Sequence, residues 1–462
     1  MQREKSYKRW MSFLVSFGCI SVVYAEGFSM MDEKALFDAI DANRPQYVAF
    51  LSELIQASEN GEAAVQSVVA KRFADLGCEV ETLELLPTRL SLEKEFAAEE
   101  AIDMTERITV VGRLTGTGGG RSILFFGHPD PEPFTDESRQ GWTRNPFAGV
   151  VEGNKIYGWG VADDLAGVAI MAEALDAVLK TMGRPKGDVY LGSTPAKRNA
   201  RGILALLNEG YVADAAVYLH PAESEAGLHD LKAITSGMLQ FRIRVEGAPP
   251  DTKEPGQTAF AHLATSAVGK AEVVLGALKK LDEERAGRIH HPALDDAVGR
   301  STNLLVSQLD CGKGESLTQV PTECVMGVSL TFPPNEELKE VQSEIEEALH
   351  NVAQTDPWFL DHPPELDWLF GTQGVQVPKE HPLYQTVSTA VADVTGETPE
   401  VNPLHSASDI RNPALFRGIP TVGFGPLAGD FTQAGGHDEW VDVDDYIKAI
   451  KICAKVIADW CQ

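Results

Sequence analysis

Residues 122–134 read SILFFGHPDPEPF, and residues 157–167 read YGWGVADDLAG. The first stretch is almost wholly apolar from Ile123 to Phe126 and ends in Gly127, His128, Pro129 and Asp130. Such an unbroken run predicts a strand covered on both faces of a sheet. In an open α/β sheet, ligands gather beyond the carboxyl ends of strands. A His at that end can bind a metal, and an Asp two residues on can fix its ring. The second stretch places Asp163 and Asp164 in a glycine-rich loop that opens a helix, VAIMAEALDAVL at 168–179. Carboxylates there either cap the helix or ligate a cation.

Working outward, residues 32–57 and 61–77 carry apolar residues at helical spacing. Residues 106–114, 188–194 and 215–220 read as strands, and residues 200–210 as a helix. Strands alternating with helices predict a mainly parallel, three-layer α/β domain. The pattern changes near Lys232. MLQFRIRVEG (238–247) alternates as a half-exposed strand, a helix follows over 267–284, and strands over 301–310 and 322–332 precede a helix at 335–353. This order predicts a small ferredoxin-like α+β insert. The α/β pattern then returns, with a strand at 418–426 and a closing helix at 442–460. The expected organisation is a discontinuous domain of residues 26–231 and 347–462, interrupted by a lid or dimerisation domain at 232–346.

The chain has 462 residues, 43% of them hydrophobic and 23% charged, enough to bury a sizeable core. Its net charge of −28 argues against nucleic-acid and anionic-membrane partners. The six cysteines include no CxxC pair, so neither a zinc ribbon nor a disulfide scaffold is expected. At the start, Arg3, Lys5, Lys8 and Arg9 precede the apolar run MSFLVSFGCISVVYA, with Val23 and Ala25 before Glu26. This pattern predicts a secretory signal peptide over 1–25 and a periplasmic or secreted product. The alternative is a cytoplasmic protein that starts at Met30 or Met31.

Taken together, GHPDPEPF…GWTRNPFAGVVEGNKIYGWGVADDLAG resembles the metal-site core of a zinc exopeptidase and deacylase family. Its members include acetylornithine deacetylase, succinyl-diaminopimelate desuccinylase, aminoacylase and glutamate carboxypeptidase. The resemblance continues through SASDIRNPALFRGIPTVGFGP and HDEWVDVDDY to cover essentially the whole chain after residue 25. It implies a zinc-exopeptidase-like α/β domain with an inserted lid that mediates homodimers. It also implies a divalent metal: zinc first, manganese or cobalt as alternatives. By resemblance, His128 ligates the first metal, Asp130 orients it, and Asp163 bridges two metals. Arg411 matches a basic residue that pairs with a substrate carboxylate, a surface salt bridge being the alternative.

The departures are as informative. The family has an acidic pair after the next strand, one Glu as general base and one as a ligand of the second metal. This chain reads Ser193-Thr194-Pro195-Ala196-Lys197-Arg198, with cations instead. The following strand ends in His220, which with His128 and Asp163 completes a two-nitrogen, one-oxygen set for one metal. Glu223 and Asp164 are rival replacements for the base, Glu223 being otherwise a solvated loop carboxylate. The family's last His falls at Gly435 or Ala434, leaving His437 or His405 as substitutes. The expectation is one metal per chain and hydrolysis of an amide or other C–N bond in a small carboxylated substrate. Arg411 with Lys197 or Arg198 would hold that carboxylate. The alternative is a catalytically inactive binding protein on the same fold.

Overall fold

The computed structural model describes residues 30–85, 90, 92–102, 105, 107–131, 133–197, 200–221, 225–312, 316–404, 406–428 and 436–462. The leader at 1–25, Arg198, Glu223 and His405 lie outside the described residues.

The main sheet has six strands in the order Glu79–Leu85, Arg107–Leu114, Val189–Ser193, Ile123–Gly127, Ala215–Leu219, Thr421–Phe424. The last four run parallel, and the first two are antiparallel additions. The strand Ile123–Gly127 is buried at every residue, as its apolar run predicts. Ile123 and Phe125 pack under one helical layer, Leu124 and Phe126 under the other. The first layer includes Ala166–Thr181 and Val443–Trp460, and the second Gly202–Asn208. This is the expected three-layer α/β architecture.

A second, antiparallel sheet has five strands in the order Asn303–Cys311, Glu323–Phe332, Gly237–Glu246, Glu365–Thr372, Glu95–Ala97. Gly237–Glu246 alternates buried and outward residues, and its inner face packs with the helices Ala267–Arg288 and Leu338–Thr355. The sheet therefore draws on residues beyond 232–346. Glu365–Thr372 pairs with Gly237–Glu246 over seven residue pairs, and Glu95–Ala97 closes the far edge. A three-residue strand is too short to show a period in sequence.

One cysteine pair was not anticipated from the sequence. Cys311 and Cys324 form a disulfide, 13 positions apart in sequence. Cys311 ends one strand and Cys324 lies at the start of the next, and their register sets them directly opposite each other. Register, which spacing alone does not reveal, makes the pair. Among the described residues no helix is long and apolar enough to cross a membrane.

Candidate metal centre

Three neighbouring strands deliver the site. Ile123–Gly127 lies between Val189–Ser193 and Ala215–Leu219. His128 and His220 are therefore the next residues beyond two adjacent, parallel carboxyl ends. Asp163 comes from the single turn Val161–Leu165 that leads into the helix Ala166–Thr181. That turn is held from below by Glu439, which is fully buried and accepts from Gly160 N at 3.1 Å and Ala162 N at 2.7 Å. Close packing demands glycine beside it. A Cβ on Gly167 would lie 1.8 Å from Leu219 O.

Nε2 of His128 lies 2.8 Å from Asp163 Oδ1, and Nε2 of His220 lies 3.1 Å from the same oxygen. All three residues are buried, and their ligand atoms lie within 4.8 Å of one another. Burial would raise the Asp163 carboxyl, but the charge and hydrogen bonds of His128, with those of His220 and Lys197, hold it well below the usual carboxylate range. Burial, then the positive charge of Lys232, pushes the His220 imidazole down to about 4, so it is neutral near pH 7. Burial acts downward on His128 too, but Asp163 and Asp130 outweigh it and raise this imidazole. Two imidazoles and an ionised carboxylate that converge in a buried pocket fit a zinc-class cation. Asp130 supports this set from behind. Its Oδ1 is 3.4 Å from His128 Nδ1, and it accepts from Ala196 N at 2.9 Å, Lys197 N at 2.8 Å and Arg107 at 2.7 Å.

The remaining expected residues divide. The Lys197 ammonium closes on Asp163 Oδ2, the oxygen that the imidazoles leave open. Asp164 does not serve the open side of the site. It is 0% exposed, its two oxygens accept from His128 N and Gly167 N at 3.1 Å, and burial raises its carboxyl well above the usual range. It braces backbone, which corrects its expected role as proton relay. His437 stands outside the ligand group, exposed, with its ring packed against Gly141. Arg411 is buried, and its guanidinium meets Glu95 and Thr372 at 3.2 Å, Asp409 at 3.1 Å and the carbonyl of Ala407. It forms an internal clamp, shared with Arg201 on the other Glu95 oxygen. Sequence reading missed Arg107 behind Asp130 and Lys232 behind His220, because neither belongs to a motif.

The profile of Peptidase family M20/M25/M40 matches residues 124–459. The chain belongs to this family. It is 21% identical over 451 residues to N-formyl-4-amino-5-aminomethyl-2-methylpyrimidine deformylase of Halalkalibacterium halodurans, covering 94% of this chain and 99% of the relative. The Bacillus subtilis protein of the same name is 23% identical over 368 residues, covering 76% of this chain and 83% of the relative. Among solved structures, a di-peptidase of Saccharomyces cerevisiae superposes with a TM-score of 0.65 at 14% identity, over 93% of this chain and 98% of that one. Human carnosine dipeptidase 1 superposes with 0.64 at 15% identity, over 93% and 99%. A Bacillus subtilis family member described as a dinuclear metal-binding peptidase gives 0.57 at 13% identity, over 90% and 98%. The chain is thus a metal-dependent hydrolase of the class that cleaves amide bonds.

Proposed function

We propose that the protein hydrolyses a formyl- or acyl-amide of a small molecule with one zinc-class cation per chain. The observation that carries this reading is the contact of Lys197 Nζ with Asp163 Oδ2. That oxygen is the one a second, bridged cation would need. An ammonium there satisfies the carboxylate with one positive charge and repels a neighbouring dication. At close range and intermediate dielectric the repulsion is roughly 4 kcal/mol or more per unit charge.

His128, Asp163 and His220 would hold the cation. When bound it supplies Lewis acidity and a water of lowered pKa. Asp130 and Arg107 keep the His128 ring aligned. Lys197 carries ammonium protons next to Asp163 and is the group available to protonate the departing amine nitrogen. The turn that carries Lys197 offers positive charge for an anionic substrate group. The deformylase relatives direct attention to short acyl groups.

The test is hydrolysis of N-formyl and N-acetyl amines and of dipeptides by protein loaded with zinc, manganese or cobalt. Turnover of an acyl-amide that a chelator abolishes supports the reading. Metal-loaded protein that binds such amides without cleaving any overturns it in favour of a binding role.

Two further readings are proposals. Export through the 1–25 leader is supported by the Cys311–Cys324 disulfide, since such bonds persist in oxidising compartments. A homodimer through the second sheet is supported by its edge strand Asn303–Cys311, where Leu305 is 61% and Leu309 49% exposed. N-terminal sequencing of protein from its native host and light scattering in solution test the two.

A further inference from the structure

Behind His220 lies a buried lysine that no part of the proposed reaction uses. Lys232 is 5% exposed. Its backbone is pinned to the sheet's edge strand, with Lys232 N donating to Gly423 O at 2.7 Å and Gly423 N to Lys232 O at 2.8 Å. A Cβ on Gly423 would lie 3.3 Å from Lys232 Cβ and 3.1 Å from Tyr218 O, so the two chains approach closely. From that fixed base the Lys232 Nζ reaches 3.0 Å from His220 Nδ1, 3.4 Å from Pro221 O and 3.5 Å from His220 O. The His220 Nδ1 is also 2.9 Å from Pro221 O.

These two neighbours make opposite demands on one nitrogen. An ammonium has only donors, so it needs a lone pair on Nδ1. A carbonyl has only lone pairs, so it needs a proton there. A neutral imidazole satisfies one or the other. With the lone pair on Nδ1, the proton sits on Nε2 and points at Asp163 Oδ1, 3.1 Å away. His220 can offer Nε2 to a cation only as the other tautomer, with its proton on Nδ1 directed at Pro221 O.

We propose that Lys232 is a positioning residue that locks His220 in the Nε2–H tautomer, so that metal capture requires the imidazole to exchange tautomers and Lys232 to retreat onto the carbonyls of His220 and Pro221. The exchange leaves the net charge of His220 unchanged. Lys232 thereby sets how tightly the site holds its cation. This rests on His128, Asp163 and His220 as the ligands, but the tautomer of the metal-free protein can be read whether or not the amide reading holds.

The test is nitrogen-15 NMR of histidine-labelled protein, with the His220 signal identified by a His220→Gln variant, beside zinc affinities from chelator competition. Metal-free wild type is expected to show His220 as the Nε2–H tautomer and to switch to Nδ1–H with zinc. Lys232→Met should show Nδ1–H without metal and bind zinc about tenfold more tightly or better, because a buried cation close to the site is gone. Lys232→Arg should keep the wild-type tautomer. A metal-free wild type already in the Nδ1–H form overturns the proposal, and this outcome needs no variant to fold. A folded Lys232→Met protein with unchanged zinc affinity overturns it as well. Failure of wild type to bind zinc would sink the proposed function instead and leave the tautomer to decide this point.

Discussion

Lys197 and Asp163 are joined side chain to side chain: the ammonium takes Oδ2, while His128 and His220 both face Oδ1. One carboxylate is therefore shared between a cation-binding face and a fixed positive charge. The turn bearing Lys197 is held in place by Asp130, which accepts from the backbone N–H groups of Ala196 and Lys197. The lysine is thus presented by the same residue that backs the first ligand.

Replacing Lys197 with methionine removes the charge and keeps most of the volume. The three ligands remain, so a metal still binds, while the positive group next to the reaction centre is lost. Amide turnover should fall by about 10²-fold or more, in the range seen when one transition-state contact is removed. Steady-state kinetics on metal-loaded protein checks this, with metal content measured on the same sample.

Asp130→Asn weakens four contacts at once, on His128, Ala196, Lys197 and Arg107. Loss of an orienting carboxylate behind a ligand costs about 10–100-fold in metal affinity. Chelator competition on the folded variant should show a drop of that size.

Glu173 gives a pH dependence far from the metal ligands. Burial pushes its carboxyl from 4.5 up to about 7, although it pairs with Arg72. Between those values the folded state keeps a proton that the unfolded chain has lost. Stability should therefore fall as pH rises from about 4.5 to 7, by up to about 3 kcal/mol through this group. A Glu173→Gln variant, compared with wild type by denaturant unfolding at pH 5 and pH 8, should gain relative stability at the higher pH. The same difference at both pH values would contradict the assignment.

The Cys311–Cys324 bond closes a short hairpin loop. A loop of that length stabilises by about 3 kcal/mol in the chain-entropy account. Calorimetry with and without reductant should show a lower melting temperature for the reduced protein, and Cys311→Ser should reproduce it without reductant.

The layered α/β architecture and the ligand candidates could be anticipated where chemistry coincides with a strand end, whereas the strand order could not. His128 and His220 each follow an apolar run, and Asp163 sits in a glycine-rich turn, but it is the family resemblance that names them together as ligands. The pairing of Arg411 with Glu95 was not legible, because Glu95 lies 316 positions away on a three-residue strand with no period of its own. Asp164 misled because adjacent carboxylates look alike in sequence, while one faces the imidazoles and the other bonds backbone beneath them. Lys232 was invisible for the same kind of reason: only the fold brings it to His220.

Metal stoichiometry tests the central claim most directly. Protein loaded with excess zinc and dialysed against a weak chelator is assayed for metal by mass spectrometry, beside a His220→Ala variant. The account predicts one equivalent per chain in wild type and its loss in the variant. Two equivalents in wild type would contradict it, because the second cation would have to share Asp163 Oδ2 with the Lys197 ammonium.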